Sequence, residues 1–95
     1  MRQCLKIIVM GKVQDVGFRH YVQKEAEKLN VEGTVHNADN GSVHILACGN
    51  SEKLDDLIDI IYKGTSKAKV ENVSTEPLTQ VKDFRGVFRI IGFKV

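Results

Sequence analysis

The sequence predicts an α+β sandwich: one antiparallel sheet, two helices on one of its faces, and an additional C-terminal strand. Three observations carry this. Residues 18–29 and 54–61 repeat apolar side chains at helical spacing. The remaining apolar runs are short and rich in Val and Ile, as strands require. The order β-α-β-β-α-β-β then leaves two helices to cover one face of a sheet.

The first strand is read from residues 4–10, where Leu5, Ile7 and Val9 alternate with Cys4, Lys6, Ile8 and Met10. Residues 11–17, "GKVQDVG", form a loop bounded by glycines. From Phe18 the period becomes helical, with Phe18, Val22, Ala26 and Leu29 on one stripe and Asn30 as the stop. Residues 31–38 and 42–48 are the arms of a hairpin, with "DNG" at its turn. Asn50 or Ser51 caps a second helix, Leu54, Leu57, Ile58 and Ile61 form its apolar stripe, and Gly64 ends it. Residues 68–76 read as a strand that Pro77 terminates, residues 79–86 as a polar loop, and residues 87–95 as a last strand. This is the split-βαβ, ferredoxin-like arrangement. A right-handed crossover makes strands 1 and 2 parallel with strand 3 between them, so the ends of strands 1 and 2 share one edge of the sheet. Arg19, after strand 1, and Asn37, at the end of strand 2, are therefore expected to converge.

At 95 residues the chain is long enough for one core and too short for two, so a single domain over residues 1–95 is expected. Hydrophobic residues at 42%, charged residues at 27% and a net charge of +2 are ordinary for a soluble globular protein. They give no strong pull toward nucleic acid or membrane. The N-terminus lacks the apolar stretch of a signal peptide, which makes the cytoplasm the default location.

The loop before the first helix carries the chemistry. Successive backbone N–H groups in a tight loop form a nest for an anion, and a helix N-terminus adds donors and partial positive charge. Arg19 offers a planar fork suited to phosphate or carboxylate. Asn37 carries an acceptor and donors that can hold a water. The same features also serve plain structural ends: glycine is the residue such turns need, and a first-turn arginine is commonly a solvated side chain.

"GKVQDVGFR" followed by "AEKLNVEGTVHNADNGSV" resembles the acylphosphatase family. The matching residues are Gly11, Val13, Gln14, Val16, Phe18 and Arg19, then Ala26, Leu29, Gly33, Val35, Asn37, Gly41 and Val43, and "FRI" at residues 88–90 resembles the family's terminal strand. The resemblance covers essentially the whole chain. It implies the same ferredoxin-like fold and metal-independent hydrolysis of the carboxyl-phosphate bond of small acyl phosphates. It implies that Arg19 and the amides of a phosphate-binding loop, Gln14, Asp15, Val16, Gly17 and Phe18, hold the phosphoryl group while Asn37 orients the attacking water. No cofactor, metal or covalent nucleophile is required. The implied partner is a small-molecule acyl phosphate, with no nucleic acid and no membrane, and the expected state is a monomer.

Asp15 departs from the family, which has glycine there. A left-handed aspartate costs about 1 kcal/mol or somewhat more. A carboxylate at about 6 Å from phosphate adds repulsion of about 0.7 to 3 kcal/mol per unit of phosphate charge, for effective dielectrics from 80 to 20. The expectation is hydrolysis that survives but is weakened. The alternative is an anion- or acyl-phosphate-binding module of the same fold whose turnover is weak or lost because of Asp15. An RNA-binding module is disfavoured, because the open sheet face carries no aromatic platform. His20, His36 and His44 read as surface or interstrand residues, and Phe18 and Tyr21 as packing groups. Pairing Ile7 with Ile45 would set Cys4 opposite Cys48, which makes a disulfide geometrically possible. A reducing cytoplasm argues against it.

Overall fold

Seven elements follow in the predicted order: β1 (Arg2–Lys12), α1 (Phe18–Lys28), β2 (Glu32–Asn37), β3 (Val43–Asn50), α2 (Ser51–Lys63), β4 (Lys69–Pro77) and β5 (Phe88–Ile90). They are seen in a computed structural model that describes residues 2–92. The sheet order is β4-β1-β3-β2-β5. β3 lies between β1 and β2 and is antiparallel to both, so β1 and β2 run parallel to each other as the split-βαβ arrangement expects. The added strand β5 pairs with β2 in parallel, so the sheet is mixed rather than purely antiparallel.

The alternation read from the sequence decides which face is buried. Ile7, Val9, Val35, Val43 and Ile45 point from the sheet into a core completed by Phe18, Val22 and Ala26 of α1 and Leu54, Leu57 and Ile61 of α2. Each such side chain contributes roughly 1.5–3 kcal/mol by leaving water. α1 packs on β2 and β5, and α2 on β3 and β4. The Asn50 side chain accepts from Glu52 N at 2.9 Å, which caps α2, and Gly64 ends that helix. Asn30 follows α1 in the left-handed region at φ 57°. Tyr21 ties the helices together: its hydroxyl donates to the Ile60 carbonyl at 2.8 Å, and burial, then Glu25, raises its pKa.

Several strand ends differ from expectation, most by one or two residues, and two of these differences bear on the architecture. β1 runs on to Lys12, so Gly11 belongs to the strand and not to the loop. The β1–β4 register shifts between Met10 and Gly11, and a Cβ at Gly11 (φ 131°) would collide with the Lys69 carbonyl oxygen. Gly11 therefore serves close strand pairing. The last strand is confined to Phe88–Ile90. Of the residues expected to prolong it, 91 and 92 are not in strand, and 93–95 lie outside the described residues.

The register places Cys4 opposite Cys48, and the two are joined in a disulfide, the state that a reducing compartment weighed against. The pair sits on the sheet face away from the helices, beneath the segment that connects β4 to β5. Leu78 N donates to Cys4 O at 2.9 Å and Lys82 N to Cys4 Sγ at 3.3 Å. The Arg2 guanidinium donates to Lys82 O at 2.9 Å and pairs with Glu32 at 2.9 Å. Glu32 in turn accepts from Phe84 N, and Gly33 N donates to Val87 O at 3.0 Å. The segment so held leaves Cys4 and Cys48 only 2% and 0% exposed.

Candidate active site

Residues 13–17 lead from β1 into α1 with a left-handed step at Asp15 (φ 60°) and another at Gly17 (φ 75°). Asp15 adopts the conformation for which glycine is better suited, at the cost expected from its side chain. The loop's side chains divide by parity. Val13, Asp15 and Gly17 line a cavity of about 210 Å³ together with Phe18, Arg19 and His20. Gln14 and Val16 are outside that lining. Val16 packs on the core, and Gln14 reaches across to the β2–β3 turn.

Gly17 is the N-cap residue of α1, and no side chain among the described residues caps that helix. Its first-turn N–H groups are thus left without a side-chain partner, and the positive end of the helix dipole meets the cavity. Phe18 is 1% exposed and its ring belongs to the core, 6.0 Å from that of Tyr21, so only its backbone is placed to meet an anion. Arg19 is half-buried on the cavity wall, with Nη1 donating to Gly92 O at 3.4 Å. Asp15 is exposed, which puts its carboxylate in contact with solvent.

Asn37 is the last residue of β2 and lies outside the cavity lining. Its Oδ1 is buried and is the one such side-chain oxygen or nitrogen among the described residues without a hydrogen-bond partner. Among the described residues no hydrogen bond joins Arg19 to Asn37. Two chain segments relate them instead. Gln14 Nε2 donates to Ala38 O at 2.7 Å and to Ser42 O at 2.9 Å, which attaches the loop to the turn that follows Asn37. Gly92, the acceptor for Arg19, sits against the base of His36: a Cβ built on it would lie 3.2 Å from His36 Cβ.

Three features of this region were not read from the sequence. His20 lines the cavity, which its place beside Arg19 in the first helical turn could have signalled. Gly92 meets Arg19, for which a glycine near the chain end gives no signal. Ser42 is 2% exposed, the single buried polar residue among those described. His36 and His44 are cross-strand partners with ring centroids 5.3 Å apart, in keeping with an interstrand role. Burial lowers the His44 pKa, with His36 and Lys6 adding to the effect.

The model of the acylphosphatase family matches residues 5–90. The acylphosphatase of Vibrio parahaemolyticus is 39% identical over 89 residues, covering 94% of this chain and 97% of its own length. Among solved structures, an acylphosphatase from Coxiella burnetii aligns with a TM-score of 0.89 at 37% identity, over 95% of this chain and 93% of that one. The acylphosphatase from Bacillus subtilis aligns with a TM-score of 0.90 at 36% identity, over 97% of this chain and 100% of that one. Likeness of this extent, spanning both the loop at the start of α1 and the strand that ends at Asn37, places the chain in the acylphosphatase family, as an enzyme that hydrolyses acyl phosphates.

Proposed function

We propose that the backbone amides of residues 14–18 and Arg19 bind the phosphoryl group of a small acyl phosphate, and that Asn37 orients the water that attacks it. The observation that carries this reading is the cavity at the uncapped start of α1, with Arg19 on its wall. Amides of the loop and the first helical turn supply donors without side-chain competition, and the guanidinium adds a charged, planar fork. The Oδ1 of Asn37 has no hydrogen-bond partner among the described residues, which supports a side-chain amide not committed to holding the fold together.

The chemistry asks little else of the protein. The oxygen of water bonds to phosphorus as the bond from phosphorus to the carboxylate oxygen breaks, and the proton of water ends on phosphate or in solvent. A carboxylate leaves without being protonated, so no strong general acid is needed. Positioning and charge stabilisation supply the acceleration, and a metal is not required. The same proposal takes residues 1–95 as one domain that acts as a monomer in the cytoplasm. The buried Cys4–Cys48 bridge is compatible with that compartment, because thiol–disulfide exchange needs access to sulfur and these residues have almost none.

Hydrolysis of benzoyl phosphate in the presence of a chelator tests the assignment. Loss of roughly 10²-fold or more in kcat is expected for Arg19→Ala and for Asn37→Ala. Turnover near the wild-type value in either variant, or turnover that the chelator abolishes, refutes it.

A further inference from the structure

We infer that Gln14 is a positioning residue: its side chain clamps the phosphate-binding loop to the β2–β3 turn and thereby sets Asn37 relative to the phosphoryl group. The inference rests on the roles proposed above for Arg19 and Asn37.

The geometry is that of a fork. A side-chain amide has two N–H bonds, and Gln14 Nε2 makes one contact of 2.7 Å to Ala38 O and another of 2.9 Å to Ser42 O. With both donors engaged, Nε2 has none left for phosphate. The two carbonyls flank the last rung of the β2–β3 ladder, the pair Asn37–Val43: Ala38 follows Asn37, and Ser42 precedes Val43. At its other end Gln14 is bonded to Asp15, where the left-handed step of the loop begins. One side chain thus spans the cradle and the strand end that carries Asn37, across 24 and 28 residues of sequence.

A clamp positions only if its anchor is stiff. The turn is closed by Ala38 N donating to Ser42 O at 2.9 Å and by Gly41 N donating to Ala38 O at 3.2 Å. Asn40 Oδ1 accepts from Ser42 N at 3.0 Å and from the Ser42 hydroxyl. That hydroxyl lies 3.1 Å from His44 Nε2. Ser42 is buried with all its polar groups engaged, so the acceptors offered to Gln14 have little freedom to move. Each carbonyl also keeps its second donor when Gln14 is changed. Removing the amide therefore orphans no buried group, and the variant is expected to fold.

The test is steady-state hydrolysis of benzoyl phosphate, with inorganic phosphate as the competitive probe of the cradle, by the wild type, Gln14→Met and Gln14→Glu. Methionine keeps the length and removes the donors; glutamate keeps the shape and turns acceptors toward the two carbonyls. Misplacement by a fraction of the cradle-to-water distance lowers kcat by ten- to a hundredfold in both. The inhibition constant of phosphate in Gln14→Met stays within about threefold of wild type, since the substitution keeps the backbone amide of the loop and the side-chain Nε2 that it removes is engaged with Ala38 O and Ser42 O rather than with phosphate. An unchanged kcat in folded Gln14→Met, confirmed by its circular dichroism, overturns the inference. So does a phosphate constant that weakens in step with kcat, which would make the Gln14 side chain, and not only its backbone amide, a part of the cradle. Arg19→Ala and Asn37→Ala assayed alongside separate the two levels: full activity there sinks the assignment of those residues, whereas their loss with Gln14→Met intact sinks the clamp alone.

Discussion

Replacing Asp15 changes two things at once, and the structure allows them to be separated. The residue sits at φ 60°, so Asp15→Gly relieves a backbone penalty of about 1 kcal/mol while adding a similar unfolded-state entropy. Folding stability is therefore expected to move little. Asp15 lines the same cavity as Arg19 and is exposed, which selects the high-dielectric end of the electrostatic range. At about 6 Å and a dielectric near 80, repulsion is about 0.7 kcal/mol per unit of phosphate charge, or about 1.4 kcal/mol for a dianion. These correspond to about threefold and tenfold in kcat/KM. Asp15→Asn isolates the charge, because asparagine tolerates the left-handed region equally well. Both variants are expected to raise kcat/KM for benzoyl phosphate by about three- to tenfold at about 10 mM ionic strength. The gain should shrink toward unity near 1 M salt, where the screening length falls from about 30 Å to about 3 Å. No gain in Asp15→Asn at low salt refutes the electrostatic argument. A gain confined to Asp15→Gly and indifferent to salt assigns the effect to the backbone instead.

Reduction of Cys4–Cys48 opens a loop with a sequence separation of 44, for which chain entropy predicts a loss of about 4 kcal/mol; urea midpoints with and without reductant, and in Cys4→Ser, should show a fall of about 2–4 kcal/mol. The lowered pKa of His44 means that the folded state favours the uncharged ring, by burial first and then by His36 and Lys6. Below the unfolded value of 6.5 the unfolded chain binds a proton that the folded chain does not, so this contribution is complete above 6.5 and is lost as pH falls through the folded value. The difference in urea midpoint between pH 7.5 and 5.5 should therefore narrow in His44→Gln. Asn37→Ala removes a buried carbonyl without a partner and should leave stability unchanged or raise it by up to about 1 kcal/mol even as kcat collapses; a parallel loss of both would mark Asn37 as structural. A Cβ at Gly33 (φ 152°) would collide with the Leu46 carbonyl oxygen in the β2–β3 pairing, so Gly33→Ala should destabilise by roughly 3 kcal/mol or more in the same denaturation assay.

Periodicity in the chain was enough to place α1, α2 and the hairpin, because apolar spacing of 3.6 or 2 is a local property and the core obeys it. Phe18, Val22 and Ala26, then Leu54, Leu57 and Ile61, are buried as their spacing requires. An assumed pairing of Ile7 with Ile45 set Cys4 opposite Cys48; the fold has that register, and both the register and the covalent state required the fold. Tertiary structure alone decided two further features. The parallel seating of β5 beside β2 depends on how residues 78–87 cross the sheet, held by Arg2 of β1 and Glu32 of β2 itself. The attachment of Gln14 to the turn beyond Asn37 depends on carbonyls of Ala38 and Ser42. Every residue carries a carbonyl, so no pattern of side chains marks the partner of such a bond. It exists only once folding has brought the backbone of one hairpin within reach of one amide.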